Sequence, residues 1–191
     1  MKSCHLFQIV ALAAVLIASA GQMQAAVING GFETGDLTGW TVSGADSAVA
    51  NPSNARSGSY SFAGYDNDGF ATLSQNFSTL AGAEYELDFW SFSSFVDPGN
   101  ILRYQLDAGP IFTVSQTPTY ALTTGSFTAS GSTTTLSFLF ETDDGTGIWV
   151  IDDVSVTQTS AAVPEPTSMA IFGLGALGLA YRARRKSKCK A

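Results

Sequence analysis

Between residues 27 and 157, apolar side chains recur at every second position in short runs, and Gly, Asn, Asp, Ser and Thr punctuate the runs. Successive side chains of a strand point to opposite faces, so this period builds half-buried strands. A helix would need an apolar stripe every three to four residues. Glu84–Ser93 shows the pattern most cleanly, with Tyr85, Leu87 and Phe89 on one face and Glu86, Asp88 and Trp90 on the other. Residues 101–107 set Leu102, Tyr104 and Leu106 against Arg103 and Gln105. Thr133–Glu141 sets Leu136, Phe138 and Phe140 against Ser137 and Glu141. Further strands are expected near 40–42, 59–63, 70–77, 111–115, 127–129 and 149–157. Strands with one apolar face bury it by packing sheet on sheet, so the fold class is all-β, a sandwich or jelly roll of about nine strands.

Two end segments stand apart from this pattern. Lys2, an apolar run over residues 6–20, and small residues at Ala25 and Ala26 read as a signal peptide over 1–26. That run falls short of the roughly 20 apolar residues of a spanning helix. At the other end, Pro164, Glu165 and Pro166 precede an uncharged apolar stretch over 167–181. Arg182, Arg184, Arg185, Lys186, Lys188 and Lys190 follow it. Basic residues flanking an apolar segment stay on the cytoplasmic side, so the expectation is a single C-terminal transmembrane helix with the domain facing outward. Gly173, Gly175 and Gly178 weaken that helix and suit it to temporary residence. The division is therefore signal peptide 1–26, sandwich domain 27–158, linker 159–162 and C-terminal segment 163–191.

Charge and residue types exclude several chemistries. Fifteen of the sixteen acids lie between Glu33 and Asp153, opposed there by only Arg56 and Arg103, which leaves that region at −13. Such a surface repels a phosphate backbone, which argues against nucleic acid as a partner. Cys4, Cys189 and His5 all lie in the end segments, and the domain has no Lys. It therefore has no disulfide, no Ser-His-Asp or Cys-His pair, no Schiff-base lysine and neither the His nor the Cys that zinc sites usually use. Paired carboxylates of the glycosidase kind are the one catalytic arrangement the composition leaves.

The C-terminal order of Pro164-Glu165-Pro166, apolar stretch and basic cluster at Arg182, Arg184 and Arg185 resembles the PEP-CTERM sorting signal. That resemblance implies an exosortase-type membrane protease as partner, an inner-membrane intermediate before processing, and a final place at the cell surface or outside the cell. The domain has its own resemblance. Asn29-Gly30-Gly31-Phe32-Glu33 with Gly39-Trp40, Ser57-Gly58-Ser59-Tyr60-Ser61, Leu73-Ser74-Gln75, Tyr85-Glu86-Leu87-Asp88-Phe89-Trp90 and Ile151-Asp152-Asp153-Val154-Ser155-Val156 fall in an order similar to galactose-binding-like jelly-roll domains. Many carbohydrate-binding modules have this fold, and so do proteins without a sugar ligand.

Two candidate sites follow. The resemblance implies a structural calcium held by Glu33, Asp152 and main-chain oxygens near Asn29, Ser57 and Ser59. Calcium's preference for carboxylate and carbonyl oxygens suits those residues. Ile151 and Val154 are both apolar yet three apart, so the strand's parity breaks at Asp152-Asp153, as at a bulge. The alternative role for these acids is to accept hydrogen bonds from main-chain amides in turns. Asp66-Asn67-Asp68-Gly69 and Asp143-Asp144-Gly145 lack full calcium-loop spacing and read as turns. The second candidate is a sugar platform of Trp90, Arg103, Gln105 and Glu141, because sugar C–H faces stack on aromatic rings flanked by polar groups. It requires the strands carrying these residues to be neighbours. Tyr65 and Phe70 are the alternative aromatics, while Trp40 and Trp149 read as core.

The functional expectation is an exported, non-catalytic surface or matrix protein associated with extracellular polysaccharide. The alternatives are a structural matrix protein without a sugar ligand and a small carboxylate glycosidase.

Overall fold

The structure, a computed structural model, describes residues 27–142, 147–160 and 175. The signal peptide, the sorting residues Pro164, Glu165, Pro166, Arg182, Arg184 and Arg185, and the Asp143-Asp144-Gly145 turn lie outside the described residues. Ten strands are described: β1 (Thr41–Ser43), β2 (Ser47–Asn51), β3 (Ser61–Tyr65), β4 (Ala71–Ser78), β5 (Glu84–Ser93), β6 (Ile101–Leu106), β7 (Ile111–Val114), β8 (Ala121–Thr128), β9 (Thr133–Glu141) and β10 (Trp149–Ser160). They form two five-stranded sheets in the orders β1-β4-β9-β6-β7 and β2-β3-β10-β5-β8. Every pairing is antiparallel.

The alternation in the sequence becomes the inside and outside of the sandwich. Tyr85, Leu87 and Phe89 of β5 are fully buried, as are Leu136, Phe138 and Phe140 of β9. Across the two sheets Phe89 meets Phe138 edge-on at 4.9 Å and Phe62 meets Phe140 edge-on at 5.4 Å. Trp149 is fully buried and Trp40 nearly so, both in the core as expected. Each such side chain contributes about 1.5–3 kcal/mol by leaving water. With no cysteine in the domain, this burial is its chief stabiliser.

Every strand finds its partners within residues 27–160, so this stretch carries its own core and folds without the rest of the chain. Residues Ala162–Ala191 form a separate unit, of which only Gly175, exposed and helical, is described. Among the described residues no helix is long and apolar enough to cross a membrane.

Before β1, the chain runs over β10. The Val154 amide donates to the Gly30 carbonyl, and a Cβ on Gly30 would run into the Val154 carbonyl oxygen. Only glycine allows that approach. Gln75 of β4 clasps Ile28, donating to its carbonyl at 2.9 Å and accepting from its amide at 2.6 Å. Phe32 takes a left-handed backbone, φ 57°, that a bulky residue rarely adopts. Its ring is fully buried and stacks on Trp40 at 5.6 Å.

Candidate functional site

The expected parity break is a real irregularity. β10 pairs with β5 in one register up to Asp152 and in a shifted register from Ser155, and Asp153 between them has φ 50°. The shift turns two successive carboxylates toward residues 56–60. Asp152, fully buried, accepts from the amides of Arg56 at 2.8 Å and Ser57 at 3.3 Å with one oxygen, and from the Asp153 amide with the other. Burial raises the Asp152 pKa above its ordinary 3.8, and hydrogen bonds from the Arg56 and Asp153 amides pull it back in part. Asp153 accepts from the Ser57 hydroxyl and the Arg56 guanidinium, both at 2.6 Å. Glu33 reaches the same segment and accepts from the amides of Ser59 and Tyr60. Gly58 there has φ 61°, and a Cβ on it would strike the Glu33 carboxylate.

The structure thus brings Glu33 and Asp152 together with Ser57 and Ser59. An atom at the Cβ position of Gly31 would lie 3.6 Å from Glu33 Cγ and 3.9 Å from an Asp152 oxygen. Each of these carboxylates already accepts three N–H contacts, of roughly four lone-pair directions available to a carboxylate. The Asn29 carbonyl accepts from the Phe32 amide and the Trp40 indole, which occupies both of its lone pairs. Among the described residues no three His, Cys, Asp or Glu side chains are grouped to hold a metal. A calcium would fit here only with further main-chain or water oxygens, since the ion takes six to eight.

The four-residue sugar platform is not assembled on one face. Trp90 lies on β5 and points outward from one sheet, whereas Arg103 and Gln105 on β6 and Glu141 on β9 point outward from the other. Strands β5 and β6 are consecutive in sequence, but residues 94–100 carry the chain across the sandwich between them. Alternation tells inside from outside and does not tell which sheet a strand joins.

Trp90 is further committed. The Arg56 guanidinium lies over its ring at 3.7 Å and is held there by Asp153. Beside this ring is an open depression of about 490 Å³ lined by Gly30, Gly31, Asp88, Leu122, Asp153 and Ser155, among others. Arg56 was not anticipated as part of any site. The sequence signal was weak: Arg56 is one of two cations among fifteen acids, but the other, Arg103, lies over the Phe70 ring.

The other three residues do share a face. β9 lies between β4 and β6; Glu141 sits opposite Ile101, two residues from Arg103 on the same face, with Gln105 two residues further along. Arg103 places its guanidinium 4.4 Å from the Phe70 ring centroid, and Phe70 is 36% exposed. This outer face thus combines an exposed aromatic, a cation, a carboxylate and an amide.

No curated protein sequence matches the chain. Solved structures do resemble the sandwich. TmCBM61, determined in complex with β-1,4-galactotriose, is 21% identical with a TM-score of 0.54, covering 71% of this chain and 99% of that one. The CBM22-1 xylan-binding domain of Paenibacillus barcinonensis Xyn10C is 16% identical with a TM-score of 0.55, covering 69% and 93%. A cyclase from Fischerella sp. TAU, in complex with 4-(1H-indol-3-yl)butan-2-one, is 16% identical with a TM-score of 0.52, covering 74% and 100%. At these identities the shared property is the fold, which serves binding modules and an enzyme alike. Residues 162–186 match the PEP-CTERM protein-sorting motif. The chain therefore joins a jelly-roll sandwich like those of carbohydrate-binding modules to a PEP-CTERM sorting motif.

Proposed function

We propose that this chain is exported, held briefly at the inner membrane by its sorting segment, cleaved there by an exosortase-type protease, and left at the cell surface or in the matrix as a non-catalytic polysaccharide-binding protein. The observation that carries the glycan reading is the outer face bearing Phe70, Arg103, Gln105 and Glu141. A pyranose ring would lie along the part of Phe70 left exposed beside the Arg103 guanidinium, which already covers one face of the ring. Guanidinium, amide and carboxylate would then supply donors and acceptors for its hydroxyls. The absence of His, Cys and Lys from the domain sequence supports binding without turnover.

Calcium enters this proposal as a structural ion. Glu33 and Asp152, with main-chain oxygens near Ser57 and Ser59, would hold it and fix residues 56–60 against β10. Its place there is stability, with no part in contacting the glycan.

A polysaccharide binding screen on residues 27–160, with calcium and with EDTA, tests the reading. Saturable binding to one glycan class is expected, with affinity falling about tenfold or more in Arg103→Ala. EDTA is expected to lower the thermal midpoint, and calcium to restore it. No binding to any glycan would leave a structural matrix protein, and a midpoint indifferent to EDTA would remove the calcium. Turnover of a bound glycan, lost on replacing one carboxylate, would make it a glycosidase.

A further inference from the structure

A sheet edge presents unpaired N–H and C=O groups, and folded proteins usually guard it with lysine, proline, a bulge or a very short strand. Three of the four edges in this sandwich are short. β1 has three residues; β2 has five, bounded by Asp46 and by Pro52; β7 has four. The fourth, β8, has eight residues in unbroken register with β5, and β5 is its one partner among the described strands. It contains no charge, no proline and no bulge.

β7 and β8 lie on the same flank. A Cβ on Gly125 of β8 would meet the Tyr104 hydroxyl of β6 at 2.7 Å, and Tyr104 stacks on Phe112 of β7 at 5.0 Å. Residues 108–140, which include both edges, carry no charged side chain, although the domain around them stands at −13. The flank also exposes large apolar groups: Ile111 at 52%, Leu122 at 49% and Phe112 at 45%.

We propose that this flank binds a second copy of the chain, with β8 pairing antiparallel to β8 of that copy. Charge selects this occupant. Two domains of −13 repel wherever carboxylates face each other, and this flank offers none. Leu122, Thr124, Ser126 and Thr128 share the outer face of β8, so a two-fold pairing sets only uncharged groups opposite one another. The nearest acids, Glu84, Glu86 and Asp88 on β5, would stand about three strand spacings from their counterparts, roughly 14 Å. That exceeds the Debye length of about 8 Å at physiological salt. The pairing is isologous, so it uses both β8 edges and stops at the dimer. It also joins the two sandwiches edge to edge, with Ile111 and Phe112 adding apolar contact beside the strands.

Sedimentation equilibrium of residues 27–160 tests this. The expected result is a reversible monomer–dimer equilibrium that is not weakened in about 0.5 M NaCl, because no ion pair holds the uncharged edges together. Leu122→Lys and Ser126→Lys, each at an outward position, are expected to raise the dimer Kd at least about tenfold. Val49→Lys, on the β2 edge of the opposite flank, is expected to leave it unchanged. A monomer at all concentrations up to about 1 mM overturns the proposal. So does an open-ended polymer, dimerisation by folded β8 lysine variants as tight as the parent's, or equal weakening by Val49→Lys.

Discussion

Arg56 shows how one side chain can organise its surroundings at the residue scale. Its amide donates to Asp152, its guanidinium pairs with Asp153 at 2.6 Å, and the same guanidinium covers Trp90. The ion pair and the ring contact are partly exposed, so each contributes on the order of 1 kcal/mol or less. Asp152 beneath it is different, because it is fully buried. Burial raises its pKa above 3.8, so the folded chain holds that proton more tightly than the unfolded chain. Its contribution to stability is full below pH 3.8 and is lost as pH rises through the folded value. Asp36 has the opposite sign. Hydrogen bonds from Thr34 and Thr38 lower its pKa, so its contribution is full above 3.8 and is lost as pH falls through the folded value. A carboxyl NMR titration is expected to find Asp36 below 3.8 and Asp152 above it; Asp152 at or below 3.8 would contradict the burial argument.

Elements meet most tightly where residues 28–33 cross β10. Gly30→Ala is expected to cost about 2–3 kcal/mol, because the Cβ must displace the Val154 carbonyl and strain the Val154 amide's bond to Gly30. Urea denaturation measures this, and a loss below about 0.5 kcal/mol would mean that the crossing yields freely. β5, β6 and β9 were legible in the sequence because their inward residues are large and their outward ones polar. β2 was missed: Ser47–Asn51 carries Ala48, Val49 and Ala50 in succession, without alternation, and its one larger apolar residue, Val49, is exposed. For β8 only its C-terminal part was expected, since Thr123 and Gly125 face inward where a large apolar residue would announce a strand. The bulge at Asp152-Asp153 could be read from two apolar residues three apart. The separation of Trp90 from Arg103 could not, because sheet membership depends on the crossing of residues 94–100.

For the molecule as a whole, the order of strands in the second sheet has a consequence in time. β10 comes last in the domain sequence yet lies between β3 and β5. Without it, β2-β3 and β5-β8 are two separate strand pairs, and Trp149, Val150 and Ile151 are missing from the core. A chain ending before Trp149 is therefore expected to show no cooperative unfolding transition by circular dichroism; a cooperative melt from residues 27–148 would refute this. A nascent chain meets the same obstacle, since a pairing that joins distant parts of the sequence cannot form until the later part has arrived. For an exported protein, this delay keeps the polypeptide threadable. The second sheet stays in two parts until its last strand has arrived, so this order of strands favours passage of the chain before the sandwich closes.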